Sequence, residues 1–457
     1  MGEGSSADSI PESMISNMNG PTLLLPLEER NRELNSRAMV TLAAVDKGFD
    51  VILGQQWEIF AHLDAIPPSV VLFKGNNAIQ ARQIGRARMA GHLTASIEEE
   101  AFSICNPREI LRCYHRDIPG LVDVTFTQGT EQTRALVSKW PDFAAKIQTV
   151  GTPRADILWH QRSGCLSTTA RGLREKFGTF VLINTNFALI NPVIDDVYGC
   201  FELCVKVGWI NPNSMDDIRV IQEQLLWERQ NFETTVTLAL RLADAGTKVV
   251  IRPHPSEHAG IWQCELSGHR NIHIAQEGRQ LDWLAASRIL VQSGSTTGFE
   301  AFLMNHPTIA LAPGDCEWDR VFISNHVNPV FRDAQSAAEA IWRHLDGSDR
   351  IVPEGTNAGD SLDRFVRLDE EFSARRIAHV LRTIAGDLLP WSDADFSRVA
   401  MDTRTYLSER RKTKAAFDEH DLCMAIEKYA GPDDAPHELN MMELAPSVFR
   451  IWRHDAH

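Results

Sequence analysis

Short apolar runs alternate with amphipathic stretches along the first part of the chain. The run TLLLPL at 22–27 is typical of a buried strand. The stretch 28–47 that follows places Leu34, Ala38 and Leu42 on one stripe, which predicts a helix. The same alternation predicts further strands at 50–53, 70–73, 93–96, 122–127 and 147–150.

A second alternating series begins near Phe177. Its predicted strands lie at 179–183, 248–252, 288–292 and 308–311, with helical stretches between them. Repeated β-α-β units imply parallel sheets with helices on both faces. The sequence therefore predicts an α/β fold with two Rossmann-like, doubly wound domains and a ligand cleft between them.

The predicted domain boundaries follow from these two series and from changes in composition. They give a disordered leader over 1–20, an N-terminal domain over 21–165, a C-terminal domain over 171–346 and a helical C-terminal extension over 347–457. The leader is polar and acidic and has no signal-peptide pattern.

Composition narrows the possible functions. The formal net charge of −15 argues against a nucleic-acid-binding protein, because phosphate contacts need a basic face. No run of about 18 apolar residues occurs, so no membrane-spanning helix is expected. The 8 cysteines are scattered, which favours free thiols in a cytoplasmic protein over disulfides.

The segment RPHPSEHAGIW, which begins at Arg252, is the first candidate for chemistry. It directly follows a predicted strand, where doubly wound sheets bind ligands. Its prolines stiffen the loop that carries His254. A histidine and an arginine at this place can bind a phosphate, although a structural loop histidine is the plainer alternative.

The segment QSGSTTGFEAF at 292–302 is the second candidate. It also follows a predicted strand and opens a helix, whose unpaired N–H groups and positive dipole end suit a phosphate. Glu300 is placed to accept hydrogen bonds from a ribose. Ordinary N-capping is the alternative for the hydroxyls. The candidate phosphate-binding side chains are Ser293, Ser295, Thr296 and Thr297.

Polar residues also follow three predicted strands of the first half. Carboxylates there are candidates for a catalytic base or nucleophile, and the alternative is a solvated helix start. The candidate catalytic residues are Glu29, Glu98, Glu99 and Glu100, and Lys74 and Asn76 are expected to contact an acceptor. The loop GTPRAD at 151–156 lies near the domain junction and is typical of a turn.

No Walker loop, GxGxxG fingerprint or strand-end DxD pair occurs, so no metal ion and no cofactor are predicted. The segments LLLPLEERNRELNSRAMV, SIEEEAF, VGTPRADIL, IRPHPSE and GSTTGFEA resemble the bacterial surface carbohydrate biosynthesis proteins. These are similar to capsule-type Kdo transferases and to bacterial sialyltransferases. The resemblance covers most of 22–345.

This resemblance implies a GT-B fold whose C-terminal domain binds the donor and whose N-terminal domain binds the acceptor. The implied donor is a CMP-activated nonulosonic acid of the Kdo, sialic, pseudaminic or legionaminic type. His254, Ser295 and Thr296 would then hold the CMP phosphate, and a carboxylate among residues 98–100 would be the acid or base. The implied acceptor is a glycan or glycolipid. One feature of the sequence favours peripheral contact with the inner face of the cytoplasmic membrane, the short basic cluster at 410–412 with Lys414, although a solvated helix face is the plainer interpretation.

Three other functions remain open at this stage. The first is a CDP-glycerol-type polyol-phosphate transferase, which shares an HP-containing loop but is usually basic. The second is a UDP-sugar epimerase of GT-B-like fold, and the third is a non-catalytic scaffold in polysaccharide assembly.

Overall fold

Two parallel sheets form the framework of the protein. The computed structural model describes residues 20–160, 166–193, 197–206, 208, 210–352, 362–391, 414–430 and 438–453. The predicted leader over 1–20 and the basic cluster at 410–412 therefore fall almost wholly outside the described residues.

The first half of the chain folds into six parallel strands covered by helices. The strands are β1 (Thr22–Leu27), β2 (Asp50–Gln55), β3 (Val70–Phe73), β4 (Leu93–Ile97), β5 (Val124–Thr127) and β6 (Ile147–Thr149). They pair in the order β2-β1-β3-β4-β5-β6. The helices are α1 (Arg30–Asp46), α2 (Gln56–His62), α3 (Ala78–Met89), α4 (Pro107–Arg112), α5 (Ile118–Leu121), α6 (Thr130–Lys139) and α7 (Pro153–His160).

The second half builds a separate sheet of six strands. These are β7 (Val181–Asn184), β8 (Val249–Arg252), β9 (Ile272–Ile274), β10 (Ile289–Gln292), β11 (Thr308–Leu311) and β12 (Val330–Phe331), in the order β12-β11-β10-β7-β8-β9. The helices are α8 (Thr168–Phe177), α9 (Val197–Lys206), α10 (Met215–Asp244), α11 (Ala259–Glu265), α12 (Gln280–Ala286), α13 (Thr296–Leu303), α14 (Ser324–Val327) and α15 (Ala334–Asp346).

The C-terminal residues cross back to the first half. Helices α16 (Ser373–Ala385) and α17 (Glu419–Tyr429) pack on α1 in one apolar core. Strands β13 (Leu439–Ala445) and β14 (Val448–Arg453) form an antiparallel hairpin. Because β14 pairs with β2, the hairpin extends the first sheet to eight strands.

Burial on both faces explains why the strands read as continuous apolar runs. All six residues of β1 are buried. Leu23 and Leu25 contact the core under α1, α16 and α17, whereas Leu24 belongs to the core on the opposite face. Alternate residues of a strand face opposite sides of its sheet, so one strand supplies both cores.

The two halves also share an apolar core. It includes Phe102 and Leu158 from the first half, Phe299 and Ile323 from the second, and Phe365 from the C-terminal residues. The α/β fold with two doubly wound domains is confirmed. In the described part of the predicted helical extension there are two helices, and the hairpin that follows them was not predicted.

Candidate functional site

A cleft of about 750 Å³ lies between the two halves. Its walls come from segments that follow β1, β4 and β6 in the first sheet and β7, β8, β9 and β10 in the second. Parallel strands bring their carboxyl ends to one edge of a sheet, which is where such folds bind ligands. The predicted residues that line the cleft are Glu29, Glu99, Glu100, Arg252, His254, Ser295, Thr296, Thr297 and Glu300.

The His254 loop is held from beneath by a buried carboxylate. Glu257 accepts hydrogen bonds from the backbone N–H of His254 at 3.1 Å, from Thr185 Oγ1 at 2.7 Å and from Trp262 Nε1 at 3.1 Å. Burial raises the pKa of Glu257, although these donors oppose the shift. The loop after β8 is thus tied to the loop after β7 and to α11.

His254 presents one ring nitrogen to a ligand. Its Nδ1 accepts the backbone N–H of Ser256 at 3.2 Å, so the proton of the neutral ring resides on Nε2. The residue is exposed and lines the cleft. Surrounding protein atoms and the charge of Arg32 lower its pKa, which favours the neutral ring at pH 7. Nε2 can therefore donate a hydrogen bond to an anionic oxygen.

Arg252 lines the cleft, but its guanidinium is engaged by the loop before α12. It donates from Nη1 to Glu277 O at 2.6 Å, from Nη2 to Gly278 O at 3.2 Å and from Nε to Gln280 Oε1 at 3.1 Å. Its Cζ also lies 5.1 Å from the centre of the Trp283 ring. These contacts hold the loop against the cleft wall, and the predicted contact of Arg252 with a phosphate stays a prediction.

The loop after β10 is shaped to bring the start of α13 to the cleft. Gly294 has φ +92°, a conformation that favours glycine, and its N–H bonds to Gln292 Oε1 at 2.6 Å. Ser295 caps α13 by accepting the N–H of Gly298 at 3.1 Å. Thr296 and Thr297 follow at the N-terminal end of the helix and line the cleft.

Ser293 does not take the predicted place. It is buried and is absent from the cleft wall. Thr296 Oγ1 lies 3.0 Å from Ser103 Oγ, so it contacts the first half of the chain as well as the cleft.

Glu300 lies one turn into α13 and binds an arginine from the first half. Its Oε1 accepts hydrogen bonds from Arg154 Nη2 at 2.7 Å and Nε at 3.2 Å. Arg154 belongs to the segment GTPRAD, which the sequence predicted to be a turn, whereas the structure begins α7 at Pro153 within it. The sequence did not single out the Arg154 side chain. The available signal was its place after β6, a strand of the same sheet as β1 and β4.

Glu98 is the most buried of the three consecutive glutamates. Its Oε2 accepts the backbone N–H and the Nδ2 of Asn76 at 2.9 and 3.1 Å, and its Oε1 accepts the N–H of Glu100 at 3.0 Å. Burial raises the pKa of Glu98 to about 8. It does not line the cleft, so its position is that of a support for the loop and not of a catalytic base.

Glu99 and Glu100 do reach the cleft. Burial raises the pKa of Glu99, opposed by Arg37, whose Nη2 lies 3.6 Å from Glu99 Oε1. Glu100 is exposed and pairs with Arg32 at 3.2 Å. A partly buried carboxylate with a raised pKa is suited to take or give a proton, which favours Glu99 among the predicted catalytic residues.

Lys74 and Asn76 were expected to contact an acceptor, but both lie behind the cleft wall. Lys74 is buried and pairs with Glu28 at 2.6 Å and with Glu33 at 2.9 Å. Although burial raises the pKa of Glu28, Lys74 and Lys414 lower it to about 2. Asn76 is fully buried and holds Glu98. Strand-end position predicted the right edge of the sheet for them but not the direction of their side chains.

Within the described residues, no group of three or more His, Cys, Asp or Glu side chains is arranged to hold a metal ion. None of the helices in the described ranges combines the length and apolarity that crossing a bilayer requires.

Comparison with known proteins supports the fold. No protein-family model and no curated protein sequence matches the chain. A solved structure from Listeria monocytogenes, assigned as a UDP-N-acetylglucosamine 2-epimerase, has a TM-score of 0.51 at 12% identity, covering 81% of this chain and 98% of that one. S. aureus MnaA with UDP gives 0.49 at 12%, covering 82% and 100%. The wall teichoic acid polymerase TagF gives 0.40 at 11%, covering 83% and 92%.

At such low identity the likeness to the Listeria protein shows the fold, which is GT-B-like with two Rossmann-type domains. The resemblance to surface carbohydrate biosynthesis proteins therefore agrees with the fold, and membership in that family stays a prediction.

Proposed function

We propose that the protein is a GT-B-type enzyme that binds a nucleotide-activated sugar in the cleft and transfers the sugar to an acceptor. One observation carries the proposal: two phosphate-competent loops of the second sheet face carboxylates of the first sheet across a single cleft. Since function has to be argued from the site, the loops and carboxylates support this function more strongly than the fold does.

The donor phosphate is proposed to bind between His254 and the start of α13. His254 offers Nε2–H, the hydroxyls of Thr296 and Thr297 line the same wall, and the helix start adds unpaired N–H groups with a positive dipole end. These groups can meet the charge of the leaving phosphate without a metal ion. Glu300 lies on the same helix and is proposed to bind the ribose.

The transfer step needs a base for the acceptor hydroxyl. In the proposed reaction, the carboxylate of Glu99 takes the proton of the acceptor hydroxyl while the acceptor oxygen bonds to the anomeric carbon. The bond from that carbon to the phosphate oxygen breaks, and the nucleotide leaves with the electron pair. Glu29 and Glu100 remain as alternative bases, since both line the cleft.

The finer proposal is a CMP-activated nonulosonic acid as the donor and a surface polysaccharide or glycolipid as the acceptor. The resemblance of the cleft loops to Kdo and sialyltransferases supports it. Arg32 and Arg279 line the cleft and could pair with the sugar carboxylate that distinguishes this donor class. Cytoplasmic localisation with peripheral membrane contact belongs to the same proposal.

A UDP-sugar 2-epimerase is the second candidate. It is suggested by the name of the Listeria protein, and the match with this chain extends over 98% of that protein's structure. Such an enzyme needs a group that removes the proton on C2, and Glu99 would serve here too. A polyol-phosphate transferase is a further alternative that the same phosphate-binding loops could serve.

Two measurements separate these functions. A thermal-shift panel with CMP, CDP, UDP, GDP and ADP, with and without EDTA, identifies the nucleotide, because a ligand of the folded state raises the melting temperature. CMP-sialic acid, CMP-Kdo and UDP-N-acetylglucosamine are then incubated with the enzyme in D₂O. Transfer predicts acceptor-dependent release of CMP, whereas epimerisation predicts deuterium at C2 without an acceptor. If no nucleotide stabilises the protein, both the transferase and the epimerase proposals are refuted.

A further inference from the structure

Arg154 and Glu300 form an ion pair that joins the two halves at the cleft wall. Arg154 extends from the first turn of α7, and Glu300 from α13. Their side chains are 21% and 8% exposed, so the pair is largely shielded from water. Removing one partner of such a pair is costly, because the other partner is left as an unpaired and largely buried charge.

Both hydrogen bonds of the pair fall on one carboxylate oxygen. Arg154 Nη2 and Nε donate to Glu300 Oε1 at 2.7 and 3.2 Å. Within the described residues, Oε2 accepts no hydrogen bond. This oxygen is also not fully buried. Since Glu300 lines the cleft, Oε2 faces the ligand space with its acceptor capacity unused.

Packing fixes the direction of this carboxylate. The Cζ of Arg154 lies 4.7 Å from the centre of the Phe102 ring. Phe102 in turn packs against Phe299, with ring centres 5.1 Å apart, and Phe299 precedes Glu300 on α13. The arginine is therefore held against the same helix that carries its partner, and neither group can rotate freely.

We propose that Arg154 is a positioning residue that makes the cleft selective for ribonucleotides, by aiming Glu300 Oε2 at the ribose hydroxyls of the bound nucleotide. The inference rests on the proposed nucleotide-sugar function and adds a determinant of ligand choice to it. With Oε1 saturated by the guanidinium, Oε2 can accept both hydroxyls of a vicinal diol. A 2′-deoxynucleotide offers only one of them, so this acceptor makes one hydrogen bond fewer at a place that the bound ligand shields from water.

Loss of Arg154 removes this selectivity because the guanidinium no longer holds Glu300 Oε1, and the carboxylate becomes free to turn away from the diol. Lys keeps the charge but lacks the planar fork that places two N–H groups on one oxygen, so it restores the effect only in part.

The test compares matched ribo- and 2′-deoxynucleotides by isothermal titration calorimetry on the full chain. The probes are CMP with 2′-deoxy-CMP and UDP with 2′-deoxy-UDP. The variants are Arg154→Met and Arg154→Lys, with Arg219→Met as the control. Arg219 pairs with Glu223 on the exposed face of α10 at 2.9 Å and lies outside the cleft.

Wild type and the control are expected to bind the ribonucleotide about tenfold or more tightly than its deoxy form. Arg154→Met should bring that ratio close to one, and Arg154→Lys should lie between. Equal weakening of both nucleotides by Arg154→Met, or a wild type without ribose preference, would overturn the inference and leave the proposed function intact. If wild type binds none of these nucleotides, both the inference about Arg154 and the proposed function are refuted.

Discussion

Glu98 is a buried carboxyl whose titration should be visible in protein stability. Its pKa is raised from the ordinary 4.5 to about 8 by burial. Between these two pH values the unfolded chain has released the proton that the folded protein still holds. The free energy of unfolding therefore falls as pH rises. We expect wild type to be destabilised relative to Glu98→Gln from about pH 4.5 to 8, by a few kcal/mol in total.

Thermal melting of both proteins across this pH range measures the effect. Other groups titrate in both proteins and cancel in the difference. Glu265→Gln, at the exposed C-terminal end of α11, serves as the control and should track wild type at every pH. If the difference in melting temperature between wild type and Glu98→Gln stays constant across this pH range, then Glu98 is ionised in the folded protein throughout the range.

His254 should dominate nucleotide binding among the residues of its loop. His254→Ala removes the Nε2 donor, and we expect nucleotide affinity to fall about 10- to 100-fold, as for a hydrogen bond to a charged group. His254→Gln keeps an N–H donor and should recover part of the loss. Calorimetric titration with the nucleotide identified by thermal shift measures both.

His258 provides a matched control in the same loop. It caps α11 by accepting the N–H of Gly260 at 3.0 Å and does not line the cleft. His258→Ala should cost about 1 kcal/mol of stability and leave nucleotide affinity unchanged. If His254→Ala behaves like His258→Ala, then His254 is a structural loop residue and the phosphate site lies elsewhere.

At the scale of elements, the seating of α13 depends on a glycine. A Cβ on Gly298 would lie 2.6 Å from Gln292 Cδ and 2.8 Å from Ser324 Cβ, and Gln292 in turn holds the N–H of Gly294. Gly298→Ala should therefore cost about 1 to 3 kcal/mol and weaken nucleotide binding, because the start of the helix shifts.

Melting and nucleotide titration of Gly298→Ala check this expectation. Gly172→Ala in α8 is the matched control, since no atom other than the neighbouring backbone of its own helix lies within 4 Å of its added Cβ. That control should gain about 0.5 to 1 kcal/mol from helix propensity and bind nucleotide as wild type does. Wild-type affinity in Gly298→Ala would show that the helix start does not contact the phosphate.

The same loops show what sequence could and could not predict about the site. Parallel strands share an edge, so the alternating pattern was enough to place the loops after β1, β4, β8 and β10 at one cleft. The direction of each side chain within a loop was not encoded locally. Glu98 and Glu99 are neighbours, yet Asn76 draws one inward while the other lines the cleft. Such choices depend on partners that are distant in sequence.

At the scale of the whole molecule, long-range pairing was equally hidden. Strand β14 pairs with β2, for instance through Phe449 and Leu53, and nothing near either residue in the sequence reports the other. The two halves are also joined tightly beside the cleft. Cys105 donates its backbone N–H to Val321 O at 2.9 Å, and Ile323 donates to Ser103 O at 2.8 Å.

This junction predicts that the two halves unfold together. Phe102 packs in an apolar core with Phe299 and Phe365, so truncating it weakens the contact between halves by about 3 to 5 kcal/mol. We expect wild type to melt in one calorimetric transition and Phe102→Ala to melt in two. Phe60→Ala removes the same volume from a core that the first half shares with C-terminal residues but not with the second sheet, and should lower the melting temperature while keeping one transition. One transition in Phe102→Ala, or two in wild type, would mean that the shared core does not couple the halves.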